Sequence, residues 1–207
     1  MDIYGANLIE QDDMVCLSYR REGYFEPESV DTWIDALKDG GIAIDIGAYT
    51  GLFTILAINA GATMVHAFEP NPACYERMAS NMELNPGSNY AVYQCAIGDK
   101  QGTVSMDDVK GRPRITSAGK VKDGGIIPMN TIDSMVFSHP VKAIKIDVEG
   151  YELNALKGAR GTLEAYHPLV IAEALDDQSE NALRDYMQGL GYQVRKADDR
   201  NLIFTHA

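Results

Sequence analysis

Three short segments of the 207-residue sequence carry side chains that could do chemistry. The first, Ala43–Gly51 (AIDIGAYTG), runs an apolar strand into Gly47 and, after Ala48, Tyr49 and Thr50, into Gly51. Glycine lets the backbone turn sharply and lets a ligand approach without a Cβ in the way. Asp45 sets a carboxylate on the strand beside that turn. The second segment, FEPNP, puts Glu69 at the end of the next strand, with Pro70 and Asn71 just beyond. Nucleotide-binding folds place there the acid that holds ribose hydroxyls. The third, Ile144–Glu152 (IKIDVEGYE), spaces Asp147 and Glu149 by one residue at the end of an apolar strand. Such a pair can face a cationic ligand, or one of the two can act as general base. Together with Glu173 the two acids could instead hold a divalent ion through oxygen ligands. Glu149 could also do no more than cap a helix that starts near Tyr151.

The glycine spacing selects among ligands. A dinucleotide fingerprint reads G-x-G-x-x-G, its second glycine admitting a pyrophosphate. Here three residues separate Gly47 from Gly51, and the bulky Tyr49 stands between them. A ligand without pyrophosphate suits the loop, and a positively charged one suits Asp45. S-adenosylmethionine has an ammonium, a sulfonium and no phosphate, and so meets both conditions. A nicotinamide-dependent oxidoreductase and a non-catalytic binding protein on the same fold stay open on these residues alone.

Alternating strands and helices must position these groups. The pattern predicts a helix over Pro27–Lys38, with Val30, Trp33, Ile34 and Leu37 at helical spacing and Gly40-Gly41 as its stop. Strand Ile42–Ile46, helix Leu52–Ala60, strand Met64–Phe68, helix Pro72–Leu84 and strand Tyr90–Ile97 follow. Residues 98–130 turn polar and glycine-rich, with short β-like pieces at Thr103–Met106 and Ile126–Met129, and read as an insertion or lid. Strand Val141–Asp147, a helical stretch Tyr151–Tyr166 interrupted by Gly158 and Gly161, strand Leu169–Ala174 and helix Gln178–Leu190 come next. Tyr192–Lys196 and Leu202–Thr205 form a closing strand pair. The expected class is α/β, a mostly parallel sheet covered on both faces, in a single domain over 1–207 whose first 40 residues form an N-terminal segment and helix.

The order of the segments resembles the FkbM family of class I S-adenosylmethionine-dependent methyltransferases. The resemblance rests on FEPNP with Tyr75 and Asn81 behind it, AIGDKQG at Ala96–Gly102, NTID at Asn130–Asp133, IKIDVEGYE, Gly158-Ala159 and the strand bearing Glu173. It implies a Rossmann-like, seven-stranded sheet with an antiparallel C-terminal strand pair. It also implies O-methylation of a hydroxyl on a sugar or secondary metabolite, with N-methylation of an amine or peptide as the alternative. Gly47, Ala48, Tyr49, Thr50 and Gly51 would then offer backbone to the methionine portion of the cofactor. Asp45 would organise the loop or pair with the ammonium, Glu69 would take the ribose hydroxyls, and Pro70 and Asn71 would border the pocket. Cys95, Ala96 and Ile97 would flank the adenine, with Asp99 just beyond. Asp147 and Glu149 are the catalytic candidates, Asp147 facing the cofactor as well. The loop departs from the family pattern at Tyr49, where GANxG is frequent.

Composition narrows the partners. A net charge of −12, with Arg112-Pro113-Arg114 the densest basic run, excludes a phosphate-backbone binder. Cys16, Cys74 and Cys95 lack CxxC spacing, so neither a disulfide framework nor a zinc site is expected. The first residues show no secretory pattern and the apolar run from Gly41 to Phe68 is broken by Asp45 and glycines, so a cytoplasmic protein without membrane association is expected. A small-molecule acceptor is the expected partner, with a homodimer open. Lys145 lies on a buried strand and needs a partner, for which Glu173 is a candidate. His66 reads as packed, and Tyr19, Tyr24 and Phe25 as either a wall for the acceptor or packing for the first helix.

Overall fold

The computed structural model describes residues 1–106 and 121–206, and of 121–123 the backbone alone. A short hairpin, β1 (Asp2–Ile3) and β2 (Ala6–Asn7), leads into α1 (Met14–Glu22) and α2 (Pro27–Leu37). Then come β3 (Ile42–Ile46), α3 (Leu52–Ala60), β4 (Met64–Phe68), α4 (Pro72–Glu83) and β5 (Tyr90–Tyr93). Strands β6 (Ala96–Ile97), β7 (Gly102–Met106), β8 (Val121–Asp123) and β9 (Ile127–Asn130) follow. The chain closes with β10 (Val141–Ile146), α5 (Glu152–Lys157), α6 (Arg160–Tyr166), β11 (Leu169–Glu173), α7 (Asp177–Gly189), β12 (Tyr192–Lys196) and β13 (Asn201–His206).

The main sheet has seven strands in the order β12-β13-β11-β10-β3-β4-β5. Strands β5, β4, β3, β10 and β11 are mutually parallel, and β13 runs antiparallel to both β11 and β12. The mostly parallel sheet is the one expected from the pattern, and its seven strands with an antiparallel C-terminal strand pair are what the resemblance implied. Because the connection from β3 goes one way to β4 and β10 lies on the other side, the chain reverses direction across the sheet between β3 and β10. Ligands of open α/β sheets collect at the carboxyl ends of the strands at such a point.

Strand side chains alternate between faces. Ala43, Val65, Ala67, Ala143 and Ile171 meet α2, α3 and α4 in one core, where Trp33, Leu37, Ile55 and Leu56 are fully or almost fully buried. Ile42, Ile44, Ile46, Ile144 and Ile146 meet α5, α6 and α7 in the other. α3 is apolar nearly all round and lies buried over Leu52–Ala57, with Gly51 and Gly61 in the left-handed conformation at its two ends. Parity then puts Asp45 and Lys145 on the α2–α3 face, side by side, since the two are register partners.

The structure revises several boundaries. The strand expected over Tyr90–Ile97 divides: Tyr90–Tyr93 joins the main sheet and Ala96–Ile97 joins a second, four-stranded sheet ordered β6-β9-β7-β8. That second sheet accounts for the described part of the 98–130 insertion; its centre, 107–120, lies outside the described residues. The helical stretch Tyr151–Tyr166 breaks into α5 and α6 at Gly158, where a Cβ would lie 1.9 Å from the Gly98 carbonyl oxygen. Among the described residues, no helix is long and apolar enough to cross a membrane. None of the three cysteines forms a disulfide, and all three are buried.

Candidate active site

The carboxyl ends of the central strands lie level. Ile46 pairs in register with Phe68 on β4 and Ile146 on β10, and Ile146 with Ala172 on β11. The next residues along the chain, Gly47, Glu69, Asp147 and Glu173, therefore share one edge. Two clefts open there and meet at Gly47 and Asp147, which line both.

The first cleft is open at its mouth and spans about 460 Å³, adjoining solvent included. Its walls are apolar: Phe68, Cys95, Ala96, Ile97, Val148 and Tyr151, with Met106 reaching in from β7. Tyr93 stacks on the back of Phe68, ring centroids 4.9 Å apart at 14°, and fixes that wall. Glu69 and Pro70 stand at its edge. Both oxygens of Glu69 already accept backbone hydrogen bonds, Oε2 from Tyr49 N–H at 2.9 Å and Oε1 from Asn71 N–H at 2.8 Å. The carboxylate is thus aimed before any ligand arrives. Burial pushes its pKa up to about 7, against the two N–H donors that pull it down. Asn71 uses its side chain to cap α4, accepting from Ala73 N–H at 2.9 Å, rather than to line either cleft.

The turn between β3 and α3 forms the ridge between the clefts. Gly47 and Ala48 both donate their N–H to the Phe68 carbonyl, at 2.9 and 3.0 Å, which folds the loop across the end of β4. Gly47 has φ +81°, and a Cβ there would lie 1.8 Å from the Asp147 carbonyl oxygen, so no other residue fits. Tyr49 also takes a left-handed conformation, φ +51°, and its ring packs in the core beside the second cleft. Asn81 on α4 donates to the Thr50 carbonyl at 2.8 Å and accepts from Ile9 N–H at 2.8 Å, tying the loop to the N-terminal segment. Gly51 ends the loop against Met78, where a Cβ would meet Cγ at 3.0 Å.

The second cleft, about 330 Å³, is charged. Glu26, Asp45, Lys145 and Asp147 line it together with Phe25, Phe53 and the loop residues Ala48, Tyr49 and Thr50. Asp45 accepts a 2.6 Å hydrogen bond from the Thr54 hydroxyl on α3, so it organises the start of that helix. Its pKa rises to about 6 because burial outweighs that hydrogen bond and the Lys145 charge. Lys145 Nζ lies 3.6 Å from Glu26 Oε2 and 3.6 Å from Asp147 Oδ2, and 4.9 Å from the centroid of the Phe53 ring. Those acids, not Glu173, are its nearest partners; Glu173 pairs with Arg200 at 2.9 Å.

Beyond Asp147 the chain turns through Glu149, at φ +53°, and Gly150. Glu152 closes this turn: its Oε1 accepts from Gly150 N–H at 2.9 Å and Val148 N–H at 3.3 Å. Carboxylate oxygens of Asp147, Glu149 and Glu173 lie within 4.8 Å of one another. Burial and the nearby Asp147 charge push the Glu173 pKa up to about 8. Asp99 is exposed and His66 is half-buried, stacked on Tyr93, its Nδ1 3.2 Å from the tyrosine hydroxyl.

Glu26, Tyr151 and Glu152 belong to the site without having been singled out in the sequence. Tyr151 and Glu152 sat inside the IDVEGYE segment, so their place was legible; Glu26 lies in a loop ahead of α2, and no spacing rule links it to Lys145.

A family profile described as "Methyltransferase FkbM domain" matches residues 45–194. Among curated proteins, the chain is 27% identical over 153 residues to a hexuronic acid methyltransferase of Haloferax volcanii, covering 70% of this chain and 61% of that protein. It is 23% identical over 183 residues to methyltransferase 1 of Beauveria bassiana, covering 75% of this chain and 74% of that one. Among solved structures, an FkbM methyltransferase of Methylobacillus flagellatus superposes with a TM-score of 0.59 at 22% identity, over 80% of this chain and 44% of its own. Magnesium protoporphyrin IX methyltransferase of Synechocystis, solved with bound S-adenosylmethionine, gives 0.54 at 12% identity over 96% and 86%. The chain thus spans less than two thirds of the Haloferax protein and under half of the Methylobacillus one.

Proposed function

The chain belongs to the FkbM methyltransferase domain family, and from that premise we propose that it methylates a hydroxyl of a small molecule, a sugar or secondary metabolite, with S-adenosylmethionine as donor. The observation that carries the reading is the pair of clefts joined at Gly47 and Asp147, one apolar with an aimed carboxylate, the other charged. The cradle fits the donor. The apolar cleft with Cys95, Ala96 and Ile97 suits adenine, and Glu69 suits ribose hydroxyls because its two oxygens are held by N–H donors and keep further lone pairs. Glycine at 47 lets the Asp147 carbonyl pack directly against the loop, which brings both residues to the rim that the two clefts share. When bound, S-adenosylmethionine supplies an electrophilic methyl group on a positively charged sulfur.

The protein's own share is alignment, proton removal and exclusion of water. Asp147 stands between the clefts and is partly exposed, so it receives the hydroxyl proton as the oxygen attacks. Lys145, 3.6 Å away, holds that carboxylate in place. Glu152 holds the turn behind it by two N–H contacts. The domain is read as one unit over 1–207; of its 98–130 insertion, Met106 on β7 lines the apolar cleft. A sugar hydroxyl is favoured because the Haloferax relative is named for a hexuronic acid substrate.

The test is mass spectrometry of an acceptor panel (sugars, uronic acids, phenols, amines, peptides) incubated with protein and S-adenosylmethionine. A methyl gain on a hydroxyl-bearing sugar is expected, and replacing Asp147 by Asn should lower turnover about 10²- to 10⁴-fold with little change in melting temperature. Methylation confined to amines would refute the O-methyl reading, and wild-type turnover in the Asp147 variant would remove it as base.

A further inference from the structure

Glu26 ends in the charged cleft although no motif pointed to it. It stands at the start of α2 in a left-handed backbone conformation, φ +43°. Its Oε2 is buried and has no hydrogen-bond partner among the described residues. The Lys145 ammonium, at 3.6 Å, is beyond hydrogen-bond length and equally distant from Asp147. A buried carboxylate oxygen without a donor is costly, and native structures rarely keep one without a reason. The charges make the same point. Glu26, Asp45 and Asp147 surround Lys145 in this cleft, so its lining carries more negative charge than that ammonium cancels.

We propose that the Glu26 carboxylate, together with Asp147, receives the α-ammonium of the amino-acid end of the methyl donor, so that the segment before α2 forms a wall of the donor site. An ammonium supplies both what Oε2 lacks, an N–H donor, and what the cleft lacks, positive charge. Lys145 stands between the two acids, 3.6 Å from each, and serves as the spacer that sets them apart. Phe25 and Phe53 line the same cleft and exclude water from the contact. The proposal rests on the donor assignment made above, and the ligand series below separates the two.

Calorimetric titration of the full chain with three adenosine ligands tests it. S-adenosylhomocysteine has the complete amino-acid end; its deaminated analogue, S-adenosyl-4-mercaptobutyrate, lacks only the ammonium; methylthioadenosine lacks the whole end. Replacing Glu26 by Gln should weaken S-adenosylhomocysteine about 10- to 100-fold, the usual loss for a charge-assisted hydrogen bond. Binding of methylthioadenosine and of the deaminated analogue should stay within about twofold. Glu26→Asp, which keeps the charge but retracts it, should give a smaller loss on S-adenosylhomocysteine alone. Unchanged S-adenosylhomocysteine affinity, or an equal loss across all three ligands, overturns the proposal. Wild-type protein that binds none of the three overturns the donor assignment instead.

Discussion

Replacing Lys145 with Met probes the electrostatic frame on which the site depends. The side chain is buried at 2% exposure and faces Glu26 and Asp147 at 3.6 Å each, with Asp45 adjacent in register. Methionine keeps an unbranched apolar stem against Phe53, so packing is little changed and the charge is what disappears. Removing one partner of a buried ion pair costs about 3–5 kcal/mol, because the remaining charge stays buried without compensation. In a chain of this size each kcal/mol moves the melting temperature by about 2–4 °C, which gives a fall of about 6–20 °C at pH 8. The cost must depend on pH. Asp45 has its folded pKa at about 6 and Glu26 is likewise raised, in both cases chiefly by burial. An acid with a folded pKa above its unfolded value contributes stability at low pH that is lost as pH rises through the folded pKa. Without Lys145 both folded values climb further, so the loss at pH 8 deepens, while at pH 5, below the Asp45 value of about 6, Asp45 is already largely protonated in the folded state. Lys145 itself, raised above its ordinary range, titrates outside this window. Urea unfolding of wild type and Lys145→Met at pH 5 and pH 8 measures the effect, and the double variant Glu26→Gln/Lys145→Met should recover about 1–2 kcal/mol at pH 8. A cost below about 1 kcal/mol at pH 8, or the same cost at both pH values, would refute the reasoning.

Other perturbations test neighbouring parts. The Glu69 pKa, raised from 4.5 to about 7, means that folding without ligand loses about 3 kcal/mol from this group as pH rises through that window. Glu69→Gln should flatten that stretch of a stability-against-pH curve and weaken S-adenosylhomocysteine by about 1–3 kcal/mol; an unaltered curve removes the burial argument. Gly47→Ala should lower the melting temperature and abolish donor binding, since its Cβ would meet the Asp147 carbonyl oxygen at 1.8 Å; a stable variant with normal binding contradicts that geometry. Chelator should leave turnover unchanged, because Arg200 already pairs with Glu173 within the acidic cluster. Loss of activity restored by Mg²⁺ would place a cation there.

Much of the frame was legible because it is local in the chain. β3, α3, β4 and α4 announce themselves by period, by glycine at the turns and by Pro72 in a first helical turn. Glu69 follows β4 directly, so its place at the strand end needed no knowledge of neighbours. The hairpin of β1 and β2 and the short, polar α1 were not legible. They are held by distant groups: Arg77 on α4 pairs with Asp13 in the interior, and Asn85 accepts from Asn7 N–H at 2.8 Å. The break in Tyr90–Ile97 was hidden because both halves have the same β-like composition, and only the second sheet gives Ala96–Ile97 its partner, β9.

The sequence by itself determined the strand ends, the glycine turn and the acids that stand there, since strand parity and glycine conformation act within a few residues. The tertiary structure alone decided which charges meet. Glu26 and Lys145 lie far apart in the chain and become neighbours only because β10 inserts beside β3 and α2 packs over the same face. Sheet order is set by burying both faces of the whole sheet at once, and that cooperative constraint leaves no mark on any single segment.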